Sequence, residues 1–503
     1  MKHGGVWGAA LIGSLLAVSA AHADPAGDAG TDTADSAVAA PEQPAPTEAA
    51  PQPKSTVPAR GATEASAPAK APEPKAAGPE PALSPVMSRW STTLYGFIEL
   101  DAMHDSTQSF ADGANGNNVA RRGTYAGDRG QSQATIKNTR LGLKLAPPEV
   151  LHVKSSAVLE LDFFGLQPTD ATQNDFYVLG TLRVRHAYMK FQTPVLDVLV
   201  GQYHDLFGWG GAGFYPNTVA FLGVPGEVYH RNPQLRLSKT IGSDAVSLEL
   251  AAAAVRPVER HSEFPDGEAG IRVAFNDWTG AASQGSGQPQ LTPLGLGVSA
   301  VGLRFVIPQF IGQPRNAVSK NGWGIAGNVL IPVIPVRDIQ DRGNALTLTG
   351  EFTTGTGIAD LYTGTTAGAR FPELSNPGNI NPPVLYPEDV DPGLITFDAD
   401  NNPKTYNWTA FVLGVQYYLP ISGGKVWVSA IYSQMTSNNI LLVTPAASWG
   451  AVYKSARYVD CNLFAAISPA AQLGLSFQAT QQTYGDGAKP TNLRAELGAT
   501  FFF

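Results

Sequence analysis

The chain closes on Leu493–Phe503, LRAELGATFFF, and the reading of that stretch decides the fold. Leu493, Ala495, Leu497, Ala499, Phe501 and Phe503 form one apolar set, while Arg494, Glu496, Gly498, Thr500 and Phe502 form the other. Successive side chains on a strand point to opposite faces, so the segment predicts a strand with one apolar and one polar face. A soluble sandwich alternates in the same way, but its polar face meets bulk water. The remainder of the chain decides between the two environments.

The same period of two runs upstream. In Leu94–Met103 the apolar set is Leu94, Gly96, Ile98, Leu100 and Ala102, with Glu99 and Asp101 on the opposite face. Leu141, Leu143 and Leu145 alternate with Arg140, Gly142 and Lys144, and Leu159, Leu161 and Phe163 alternate with Glu160 and Asp162. About sixteen such segments fit between residue 92 and the last residue, and the connections between them are alternately long and short. An even number of two-faced strands, with tight turns at one end and long loops at the other, predicts an all-β, antiparallel transmembrane β-barrel. One stretch departs from the rule: 277–296 falls where a tight turn is expected and is too long for one.

Composition agrees with this architecture. Charged residues make up 15% of the chain, against roughly 25% in ordinary soluble domains. Lipid denies charge to one face of every strand, which accounts for the deficit. The net charge of −8 argues against nucleic acid as a partner. The single cysteine, Cys461, supplies neither a disulfide nor a cysteine-based metal site. No cofactor or metal is expected. The mean hydropathy of −0.08 and the lack of a long apolar run in the mature chain exclude a helical membrane bundle.

Three zones follow along the chain. Lys2 and His3, an apolar core over residues 6–18 and Ala21-His22-Ala23 make residues 1–23 a secretory signal peptide. Residues 24–89 are rich in Pro and Ala, with 13 prolines, 18 alanines and no aromatic residue in 24–88, and predict a disordered periplasmic linker. Residues 90–503 are the barrel domain. Trp323, Trp408, Tyr417, Tyr418, Trp427 and Tyr432 fall near strand ends, where an interfacial girdle is expected.

A barrel of about sixteen strands encloses a water-filled lumen, so its inward charges define its function. Arg140, Lys144, Arg183, Arg185 and Arg236 are the expected basic lining, and Glu99, Asp101, Glu160 and Asp162 the acidic lining facing it. Arginines around a narrow pore concentrate anions and offer forked hydrogen bonds to carboxylates. Pairing of these acids and bases with each other is the alternative. The third long connection, HDLFGWGGAGFYPNTVAFLGVPGEVYHR over 204–231, is too apolar to stand in solvent. Folded inward it would bring Asp205 or Glu227 opposite the arginines. His186, His204, His230 and His261 belong to no nucleophile motif and show no ligand spacing, so the sequence does not read as an enzyme.

The segments LYGFIELDAMHDS (94–106), IKNTRLGLKL (136–145), LELDFFG (159–165), LRVRHAYMKF (182–191) and LVGQYHDLFG (199–208) resemble the early strands of DcaP-like porins. The terminal Phe503 resembles the assembly signal read by the outer-membrane assembly machinery. The resemblance implies a homotrimer in the lipid of a Gram-negative outer membrane, passing small, often anionic, organic solutes. It also implies lumen-lining roles for Arg140, Arg183 and Arg185, with Glu99 and Asp101 on the same wall. Members of that family tend to carry an N-terminal coiled coil, whereas this chain has its Pro/Ala segment there. Two rival readings are an adhesive barrel binding partners through its long connection 354–405, and a phosphate-type anion porin; lysine is scarce on the strands for the latter.

Overall fold

The computed structural model describes residues 90–112, 118–165, 180–220, 223–257, 262–308, 317–363, 394–397, 402–444 and 446–503. The signal peptide and linker expected over 1–89, and most of 354–405, lie outside the described residues.

The first strand, β1 (Ser91–Asp105), is paired on both edges. One edge runs antiparallel to the last strand, from Phe97↔Phe502 to Asp105↔Arg494. The other edge pairs with both Gln131–Thr135 and Arg140–Ala146, which are therefore two halves of a single strand, β2, interrupted over 136–139. The wall then continues through β3 (Lys154–Asp162), β4 (Arg183–Gln192), β5 (Asp197–His204), β6 (Arg231–Gly242), β7 (Val246–Val255) and β8 (Asp266–Ala282). It is completed by β9 (Gln290–Pro308), β10 (Ala317–Ile334), β11 (Leu346–Thr356), β12 (Asn407–Tyr418), β13 (Val426–Ser437), β14 (Tyr453–Ala466), β15 (Ala471–Tyr484) and β16 (Thr491–Phe502). Every neighbouring pair is antiparallel, and β16 returns to β1. The product is a closed sixteen-stranded barrel without a free edge, the condition a sheet must meet in lipid.

Alternation assigns the two faces. Leu94, Ile98, Leu100, Leu493, Leu497 and Phe501 are exposed on the outside. Glu99, Asp101, Arg494 and Glu496, their neighbours on the same two strands, are buried within. The aromatic girdle needs correction. Trp323 and Tyr432 are exposed on the outer wall, but Trp408, Tyr418 and Trp427 are fully buried inside. Trp427 stacks between Tyr418 and Phe464, with ring centroids at 5.5 Å and 5.2 Å, and its Nε1 donates to Asn217 Oδ1 at 2.9 Å. These rings are a platform for an internal loop.

The anomalous 277–296 resolves into strand. β8 and β9 are long, 17 and 19 residues, and the connection between them is only 283–289. Their register jumps between Pro293 and Leu294, leaving 276–278 as a bulge that bends the hairpin.

Closure depends on a close approach at Gly96. A Cβ there would lie 2.2 Å from the Arg140 carbonyl oxygen and 3.1 Å from the Phe503 ring. Gly96 and Phe503 also exchange backbone hydrogen bonds, each of 3.1 Å. Gly96→Val should therefore destabilise the closed barrel by about 1–3 kcal/mol. Heat-modifiable gel mobility measures this directly, and an unaltered folded fraction would contradict it.

Candidate functional site

The long connection after β5, here loop 3 (205–230), lies inside the barrel because wall side chains satisfy its backbone. Glu268 on β8 accepts the N–H groups of Leu206 at 2.7 Å and Phe207 at 3.0 Å. Ser299 on β9 accepts from Gly208, and Trp209 Nε1 donates to the Val298 carbonyl at 3.0 Å. Gly208 has φ +73, and a Cβ on it would meet Val228 at 2.8 Å, so the loop's two ends can approach only with glycine there. Near the tip, Thr218 Oγ1 donates to Asp460 Oδ2 at 2.6 Å and Val219 N to Asn462 Oδ1 at 3.2 Å, both on β14. On the return, Val228 N donates to Glu351 Oε1 on β11 at 2.7 Å. Buried carboxylates on three different strands thus hold the loop against the wall.

Opposite it stands a basic cluster on β2, β4 and β6. Arg183 makes a forked pair with Asp162, Nε to Oδ1 at 3.0 Å and Nη2 to Oδ2 at 2.7 Å. Arg185 donates to Glu160 Oε1 at 2.8 Å, to Asp162 Oδ2 at 3.0 Å and to the Tyr229 hydroxyl at 3.0 Å. Tyr95 donates to the other oxygen of Glu160 at 3.1 Å. Glu160 and Asp162 therefore do not face the arginines across the lumen. They sit on β3, hydrogen-bonded to β4: Asp162 pairs with Arg183, Glu160 with His186, and the bulge between these pairs sets Arg185 between the two carboxylates.

Arg140 and Arg231 differ from that pair. Arg140 lies 5.0 Å from the Phe97 ring and reaches Asn138 at 3.4 Å, while its Nε is buried without a hydrogen-bond partner among the described residues. Arg231 lies 5.1 Å from the Tyr229 ring, with Nη1 buried and likewise unpartnered. Neither forms an ion pair among the described residues. Alternation missed Arg231, since the inward face of β6 is Asn232, Gln234 and Arg236. Arg231 opens that strand out of phase, where the loop still directs it inward. Its proximity to the loop's Tyr229 was the available clue.

Of the two loop acids, Asp205 lies near Arg236, one of the expected basic residues, while Glu227 faces other carboxylates instead of the arginines. Asp205 turns onto Asn232, whose N and Nδ2 donate at 3.1 Å and 2.7 Å. Burial pushes its carboxyl up to about 7 in spite of those bonds. Glu227 lies toward Glu351 and Asp460, and burial, reinforced by Glu351, holds its carboxyl well above the usual range. The loop presents aromatic rings to the basic cluster instead. Tyr215 and Tyr229 lie 4.7 Å apart by centroid, and the contacts continue through His204 to His186 at 4.8 Å.

The remaining predicted residues are spread along the wall. Arg236 is buried, bonded to Gln234 Oε1 at 2.9 Å and stacked 5.5 Å from Tyr203. Lys144 is exposed near the short-turn end of β2. Glu99 is held by Asn138 from the break in β2 at 2.7 Å and by Ser286 at 3.0 Å. Asp101 is fully buried, and neither of its carboxylate oxygens accepts a hydrogen bond from a described residue. Phe503 completes the pairing with β1 and exposes its ring outward.

No family model and no curated protein matches this chain. Among solved structures it is similar to the outer membrane channel DcaP of Acinetobacter baumannii, at 18% identity and a TM-score of 0.59, covering 83% of this chain and 98% of that one. The anion-selective porin from Comamonas acidovorans follows at 10% identity and a TM-score of 0.45, over 82% of this chain and all of its own. Salmonella typhi OmpF follows at 10% and 0.44, over 83% and 99%. The first likeness shows the fold, that of a porin-like β-barrel.

Tyr229 makes the cluster sensitive to pH. Burial alone would raise its phenol, but Arg231, Arg185 and Arg140 outweigh burial and bring it down to about 7. Losing the proton adds one negative charge beside the arginines. Any anion preference should therefore fall as pH rises through about 7 and stop doing so in Tyr229→Phe, as read from reversal potentials; the same pH response in both proteins would contradict the assignment.

Proposed function

We propose that this chain, which shares the fold of the DcaP channel, is a porin through which small hydrophilic solutes diffuse passively, with a preference for small organic anions such as carboxylates. The observation that supports the preference most is the basic cluster. Four guanidinium groups, Arg140, Arg183, Arg185 and Arg231, gather about two carboxylates, Glu160 and Asp162. Arg140 and Arg231 each keep a buried nitrogen without a hydrogen-bond partner among the described residues, a donor free for an anion to take up. Arginine beside aromatic rings in a narrow aqueous path lowers the barrier for anions and raises it for cations.

In this reading residues 1–23 direct export and are removed, and residues 24–89 are a periplasmic tether. The barrel is inserted in a Gram-negative outer membrane by the assembly machinery, which reads Phe503, and works as a homotrimer surrounded by outer-membrane lipid. It performs no chemistry on its solutes and uses no cofactor or metal.

Planar-bilayer recording tests the proposal. Stepwise conductance in groups of three, with a reversal potential favouring chloride over potassium, is the expected result; absence of conductance would overturn it. Arg140→Ala and Arg231→Ala should each shift reversal toward cations, and the double variant should shift it further. Asp162→Asn should shift it the other way, since it leaves Arg183 and Arg185 less neutralised. An unchanged reversal potential in the double variant would show that these side chains do not line the path.

A further inference from the structure

The connection between β8 and β9, residues 283–289, belongs to the short-turn end, where both termini of the barrel lie. Short turns in such barrels ordinarily stop at the rim. This one does not. The bulge over 276–278 bends the hairpin inward, and Trp278 Nε1 donates to the Pro332 carbonyl at 2.7 Å and Thr279 Oγ1 to the Val336 carbonyl at 2.7 Å. Beyond the bend, Ala281 is fully buried among Val219, Tyr418, Trp427 and Phe464, all within the barrel.

The tip continues away from its own strands. Ser283 exchanges two hydrogen bonds with Gln416 on β12, at 2.8 Å and 2.9 Å. Gly285 is bound to loop 3 three times, by Pro216 O at 2.9 Å, Thr218 N at 3.2 Å and Asn217 Nδ2 at 2.7 Å. Ser286 Oγ then donates to Glu99 on β1 at 3.0 Å, and its carbonyl accepts from Gln472 on β15 at 3.0 Å. Gln288 donates to the Pro469 carbonyl, in the turn before β15, at 2.6 Å. In a closed ring of sixteen strands, β9 stands eight places from β1, on the opposite side of the barrel. A turn rooted on β8 and β9 that bonds to β1 and β15 must cross the lumen.

We infer that the hairpin 279–293 is a beam across the short-turn mouth, a second constriction that together with loop 3 sets the largest solute the channel passes. The inference rests on the channel reading above. It divides the labour inside the barrel. The arginine wall selects by charge, and the beam, whose tip offers Ser, Gly and Gln, selects by size. It also explains two other features, the bulge that bends β8 and the burial of Glu99 by a partner from across the lumen.

The experiment shortens the beam while leaving the wall intact. Ala282 and Gln290 are directly paired, so residues 283–289 can be replaced by Asn-Gly, a two-residue hairpin turn. Bilayer recordings of the full chain and the variant, with polyethylene glycols of graded size as pore-filling probes, should show conductance rising at least about twofold. The size limit should move to larger polymers while the chloride preference stays. A folded variant with unchanged conductance and size limit would overturn the inference. Should the shortened barrel fail to assemble, Ser286→Ala with Gln472→Ala releases the tip at full length. Raised conductance or new rapid flicker there supports the beam, and parental conductance without flicker overturns it. A parent protein that carries no current would bring down the channel reading, and this inference with it.

Discussion

Everything inside this molecule depends on the antiparallel pairing of β1 with β16. In hydrocarbon an unpaired N–H or C=O has no water to turn to, so a sheet that spans lipid must have no edge. The pairing from Phe97↔Phe502 to Asp105↔Arg494 removes the last edge, and Gly96 permits the strands and the Phe503 ring to come close enough. Closure also carries polar freight. Arg494 on β16 makes a forked pair with Asp105 on β1 at 2.9 Å and 2.7 Å, and Asn492 donates to the same carboxylate. The seam is thus held by backbone bonds through the wall and by a buried ion pair on its inner face.

Once the wall is closed, its interior is a limited surface on which all charge must be arranged. The 15% charged content is low because one face of every strand is denied it. The charges that remain serve two purposes. Glu268, Glu351 and Asp460 are spent on holding loop 3, accepting its N–H and hydroxyl groups. Glu160 and Asp162 order Arg183 and Arg185. Arg140 and Arg231 are left beside aromatic rings, each with a buried nitrogen that has no hydrogen-bond partner among the described residues.

Alternation made the fold legible, because period two survives along most of the strands regardless of what lies beyond their faces. Sixteen segments, the alternating loop lengths and the inward folding of the apolar third loop were all readable. The errors come from contacts and phase breaks that no local pattern records. Trp408, Tyr418 and Trp427 near strand ends look like a lipid girdle until loop 3 is known to need a platform. Glu160 and Asp162 look opposed to the arginines until register makes them neighbours. Arg231 is out of phase with its own strand. The overlong 277–296 was visible as an anomaly, yet its cause, a hairpin bent inward to meet Glu99, lies eight strands away.

The central proposal is that Arg140 and Arg231 together bind an anion. A crystal structure of the protein in bromide, with data collected at the bromine absorption edge, tests it most directly. The account predicts an anomalous peak within hydrogen-bonding reach of the Arg140 and Arg231 guanidinium groups, lost in Arg140→Ala with Arg231→Ala. Bromide bound elsewhere in the lumen with none at these two residues would contradict it.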